Sequence, residues 1–128
     1  MKTTQKKAVN AYNALTEIGK QPFPIRDALN LLVLRKKLET AMEFQLQEEQ
    51  KLIDEYQPTV DGGKITMPYD EKDEAVQARA KEFFRKLADL NQMEIEIDAD
   101  PAPVGIPDGV IIKPETLAAL DGFIEWGE

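Results

Sequence analysis

Asp98-Ala99-Asp100 has the spacing of a minimal Asp-x-Asp metal pair, and its carboxylate oxygens suit Mg2+ or Ca2+. The stretch lacks the glycine and the distal bidentate glutamate of a calcium loop, so it reads as a polar strand end followed by an Asp-Pro turn in preference to a metal pair. Glu94 and Glu96 fall on the same strand face as Asp98, as an outer face next to water would. Gly62-Gly63-Lys64 reads as a turn, because the Gly-x-x-x-x-Gly-Lys-Thr spacing and the preceding strand of a phosphate loop are absent. Arg35-Lys36-Lys37 is a short basic run followed by Glu39 and Glu43, which reads as salt-bridged helix surface in preference to a nucleic-acid patch.

The chain has no cysteine, histidine or serine. That excludes the Ser-His and Cys-His nucleophile pairs and the Cys/His zinc sites. Carboxylates, lysines, threonines and tyrosines remain, enough for metal-assisted hydrolysis or a two-carboxylate glycosidase. No constellation for either is present, so the expectation is a non-enzymatic protein with no catalytic residues, no cofactor, no metal and no small-molecule substrate.

The elements carrying these residues are mainly helical. With 128 residues, 42% hydrophobic and 31% charged, the chain suits a single domain over residues 1–128, long enough to bury a core without staples. No window approaches the ~18 consecutive apolar residues of a membrane span, and the start Met1-Lys2-Thr3-Thr4-Gln5-Lys6-Lys7 does not fit a secretory signal, so a cytoplasmic location is expected. The net charge of −8 divides unevenly: residues 1–37 carry +6 and residues 38–128 carry −14. Solvated faces explain that split simply. A head-to-tail contact between copies, or an acidic surface imitating nucleic acid, would also use it.

Thr3 or Thr4 can cap a first helix, within residues 1–20, whose Ala8, Ala11, Leu15 and Ile18 recur at steps of three and four. Gly19 suits a left-handed helix end, and Pro24 suits the first position of a long second helix to Tyr56. Leu29, Leu31, Leu32, Val33 and Leu34 point around nearly the whole circumference, so this turn is expected to be a hub covered on all sides. The stripe then narrows to Leu38, Met42, Leu46, Ile53 and Tyr56, a seam of coiled-coil type. Met42, Leu46, Ile53 and Tyr56 are the candidate protein interface if the next helix leaves them uncovered.

Pro58 stops that helix, and residues 57–69 form a tip with a turn at Asp61-Gly62-Gly63 and a β-prone segment Lys64–Met67. A third helix from Asp70 to Asn91, with Val76, Ala80, Phe83, Leu87 and Leu90 on one face, returns antiparallel and completes a hairpin over residues 24–93. Met93, Ile95 and Ile97 alternate with Glu94, Glu96 and Asp98 as a half-buried strand. In the small β/α end over residues 94–128, residues 101–107 form a Pro-rich loop and Val110–Ile112 a second strand. Pro114 opens a short helix ended by Gly122, and Phe123, Ile124 and Trp126 form a terminal strand or docked tail.

This order of features, with the tip Asp61-Gly62-Gly63-Lys64-Ile65-Thr66-Met67-Pro68, the alternating Met93–Ile97 and the final Pro114–Leu120, resembles a family of small proteins of unknown function encoded by tailed phages and prophages of Gram-positive bacteria. The Pro-rich loop at residues 101–107 departs from that pattern. The resemblance implies a phage or prophage protein, a helical hairpin and a β-rich end, and it brings no catalytic or binding residues with it.

The expected fold is α+β and mostly α: a long antiparallel, coiled-coil-like helical hairpin with an N-terminal helix and a small β/α C-terminal end. The expected function is a non-enzymatic protein-protein interaction or assembly role, acting in the host cytoplasm or in association with a virion. It would bind a protein partner or itself, with no direct nucleic-acid contact and no membrane. The alternative is an acidic inhibitor that mimics nucleic acid to occupy a host DNA- or RNA-binding protein.

Overall fold

A computed structural model describes residues 1–127. In chain order its elements are β1 (Lys2–Thr4), α1 (Gln5–Ile18), α2 (Ile25–Tyr56), β2 (Thr59–Asp61), β3 (Lys64–Thr66), α3 (Glu74–Gln92), β4 (Glu94–Glu96), β5 (Ala102–Gly105), α4 (Pro114–Ala119) and β6 (Ile124–Gly127). The fold is α+β and mostly α, as the periodicities predict.

α2 is a spine of 32 residues, about 48 Å at ~1.5 Å per residue. Two antiparallel helices lie along it end to end. α1 covers the first half: Arg35 reaches the Tyr12 hydroxyl at 3.0 Å, and the Gln5 amide, at the opposite end of α1, donates to the Ala41 carbonyl. α3 covers the second half: Arg79 donates to the Glu55 carbonyl at 2.7 Å, and Gln45 donates to the Asn91 side chain at 2.9 Å. The lengths of α1 and α3, 14 and 19 residues, together match the spine.

Where α3 ends and α1 begins, a two-stranded antiparallel sheet splices them. β1 pairs with β4 in the register Lys2↔Glu96, Thr3↔Ile95 and Thr4↔Glu94, and the Gln5 N–H donates to the Met93 carbonyl at 2.8 Å. The alternating Met93–Ile97 segment therefore pairs with the N-terminus, not with strands of the C-terminal end. Sequence periodicity reveals no strand at residues 2–4, because three residues carry no readable period.

The main core joins Leu15 and Ile18 of α1, Leu31, Leu34 and Leu38 of α2, Val104 of β5, and Leu120, Phe123 and Ile124 near the C-terminus. β5 and β6 pair in parallel, Val104 opposite Trp126. Pro103 lacks an N–H and suits an edge strand, and its carbonyl is taken by the Asn30 side chain at 2.9 Å. The C-terminal end thus docks on the start of α2, over the expected hub.

Several local expectations are corrected. Gly19 is right-handed at φ −64, not left-handed, whereas Gly122 is left-handed at φ +82. Pro24 is the residue before α2, with φ −54 and ψ 152, instead of its first helical residue. α3 starts at Glu74, capped by Asp73, whose carboxylate accepts from Ala75 and Val76 N–H. Asp70 folds back on the loop instead, accepting from Lys72 N–H at 2.9 Å. The expected strand at residues 110–112 is irregular, with Ile111 fully outside the core, and the strand of the C-terminal end lies at Ala102–Gly105, inside the expected loop. At the tip, β2 and β3 form a hairpin with Val60 opposite Ile65. Its two-residue turn needs positive φ at Gly62 and Gly63, which glycine adopts without strain.

Candidate functional site

At 100° per residue around α2, Leu31, Leu34 and Leu38 turn toward the core and are buried. The remaining apolar residues of the first turns face the other way. Ile25 is 90% exposed, Leu29 56%, Leu32 45% and Val33 49%. The all-round hub is therefore covered on one side only, because α1 and the C-terminal end share the same half of the helix. The uncovered residues follow steps of four and three, Ile25, Leu29, Leu32, with Lys36 continuing the line. They form a ridge about two turns long, with exposed Arg26 and Lys37 along its edge.

A groove runs along each side of this ridge. The one toward α1, about 350 Å³, is lined by Leu15, Phe23, Ala28, Leu31 and Leu32, and its charged lining residues among those described are Lys20 and Arg35. Arg35 is held by Thr16 at 2.9 Å and lies over the Tyr12 ring at 4.7 Å. The other groove, about 330 Å³, lies between Leu29, Val33 and Lys37 on α2 and residues 98–103. Asp98 and Asp100 line it and are exposed. Among the described residues no group of three or more His, Cys, Asp or Glu side chains converges to hold a metal ion.

The four candidate interface residues differ in exposure. Leu46 is 55% exposed, Met42 and Ile53 are half-buried, and Tyr56 is buried. The buried line in the second half of α2 runs through Ala41, Gln45 and Tyr56, so Gln45 lies inside and Leu46 on the shoulder. Burial of an amide is tolerated because it is bonded: Gln45 Nε2 donates to Glu49 at 2.7 Å and to Asn91 at 2.9 Å, while its Oε1 has no partner among the described residues.

Tyr56 is committed within the hairpin. Its ring meets the fully buried Phe83 at 5.6 Å between centroids, and Arg79 and Lys86 lie against it at 4.9 and 5.1 Å. Its hydroxyl donates to Glu82 at 2.7 Å. That bond, and then Lys86, hold the Glu82 carboxyl below its usual range. Lys86 is raised, first by hydrogen bonding with Tyr56 and then by Glu82. Glu82 and Lys86 also form an i,i+4 ion pair, 3.3 Å apart.

Hydrophobic periodicity alone does not mark Ile25, Leu29, Leu32 and Val33 as surface. A signal existed in the recurrence of Arg26, Lys36 and Lys37 on the same side as these four residues, since long basic side chains mark a wet face. No helix among the described residues is long and apolar enough to cross a membrane. Comparison with protein-family models, curated proteins and solved structures finds no match to this chain.

Proposed function

We propose that this chain is a non-enzymatic interaction or assembly protein that binds protein through the exposed ridge of α2. One observation carries the reading: four large apolar side chains, Ile25, Leu29, Leu32 and Val33, stand together in water on a rigid helix. Single exposed apolar residues are ordinary, but contiguous patches rimmed by polar groups mark contact surfaces. A role in a phage or prophage, in the host cytoplasm or on a virion, rests on the resemblance of feature order described above.

Site-specific photo-cross-linking tests the contact. A photoreactive residue at position 29 should give a discrete protein adduct in the producing cell, while one at exposed Glu115 should not. Equal, diffuse labelling at both positions would contradict the reading.

The alternative, an acidic inhibitor occupying a nucleic-acid-binding protein, is favoured by the tip, where residues 54–74 carry seven Asp/Glu against Lys64 and Lys72. It requires adducts from position 71 that disappear when nucleic acid competes, and none from position 29.

A further inference from the structure

The ridge has a complement on the same chain that it cannot reach. At the far end of α2 the tip exposes Val60 and Tyr69, with Asp61, Asp70 and Glu71 among the acidic residues around them. At the near end, Leu32 of the ridge lines a groove whose charged lining residues among those described are Lys20 and Arg35, with exposed Lys36 continuing the ridge. Residues 29 and 57 are separated by roughly 40 Å of continuous helix, so one molecule cannot fold its own tip onto its own ridge.

We propose that the tip of one copy docks on the ridge and the α1-side groove of a second, head to tail. The inference rests on the reading that the ridge is a protein contact and names its occupant. Apolar side chains on both surfaces supply buried area, and opposite charges around them fix the orientation and speed encounter. Two ridges meeting face to face would instead bring Arg26 and Lys36 of one copy toward the basic side chains of the other. The groove on the opposite side carries Asp98 and Asp100 against the single cation Lys37, whereas the charged lining residues of the α1-side groove are both basic, which directs an acidic tip to the α1 side. A head-to-tail contact uses two different patches, so it propagates into a ring or an open chain unless one end is blocked.

Sedimentation velocity with two blocked variants tests this. Leu32→Glu with Lys20→Glu blocks the ridge, and Tyr69→Lys with Glu71→Lys blocks the tip; these side chains are exposed, and circular dichroism confirms each fold. Wild-type chains should associate with rising concentration, and each variant alone should associate at least about tenfold more weakly. An equimolar mixture of the variants should form a one-to-one dimer and stop, because each supplies the surface the other lacks. A wild-type monomer at all concentrations, a variant that associates like wild type, or a mixture that stays monomeric overturns the proposal. A cross-link from position 29 to a different protein, combined with a wild-type monomer, would overturn head-to-tail pairing while leaving the contact reading intact.

Discussion

Leu34 and Val33 are consecutive residues of α2, yet Leu34 is 2% exposed and Val33 is 49% exposed. The peptide between them marks the border between the core side and the contact side of the spine. Truncation should therefore have opposite consequences at the two positions. Leu34→Ala empties a site packed between α1 and β5 and should cost about 2–4 kcal/mol in urea unfolding. Val33→Ala should change stability by less than about 0.5 kcal/mol while weakening association. Equal destabilisation by both would mean that the ridge is covered within the monomer.

Gln45 is a buried amide with one satisfied end. Its Nε2 bonds Glu49 and Asn91, both half-exposed and able to turn to water, while its Oε1 has no partner among the described residues. Gln45→Met keeps the length and removes the orphaned acceptor, and should raise stability by roughly 0.5–1 kcal/mol. A loss of stability larger than that in chemical denaturation would show that the amide layer between α2 and α3 is stabilising as a unit.

The Tyr56 staple should leave a mark on the pH dependence. Glu82 is depressed in the folded chain, chiefly by the Tyr56 hydroxyl, so its contribution is full above the unfolded carboxylate pKa and is lost as pH falls through the folded one. Lys86 is raised, so its contribution is full below the usual lysine pKa and is lost as pH rises through the folded one. Tyr56→Phe should melt below wild type at neutral pH, and the gap should narrow as acid protonates Glu82. Melting curves from about pH 3 to about pH 7 check this, and a gap independent of pH would contradict it.

Much of the fold is legible from spacing alone. The α1 stripe of Ala8, Ala11, Leu15 and Ile18, the tip glycines and the α3 stripe through Ala80, Phe83 and Leu90 all lie where their period places them. What is not legible depends on partners distant in sequence. Lys2–Thr4 is a strand because Glu94–Glu96 lies beside it, and Ala102–Gly105 is one because Ile124–Gly127 does. The Leu-Leu-Val-Leu run at residues 31–34 shows that the helix is apolar there, but only the packing of α1 and β5 on one side decides that Leu32 and Val33 remain outside. Gln45 and Leu46 exchange their expected roles for a similar reason: Asn91, distant in sequence, bonds the amide and lets it occupy the covered line.

Light scattering coupled to size-exclusion chromatography, on the wild-type chain at roughly 50 mM and roughly 500 mM salt, tests head-to-tail assembly most directly. The expected result is a mass above that of one chain at low salt that rises with concentration and falls toward a single chain at high salt. A mass of one chain in both buffers at every concentration would contradict it.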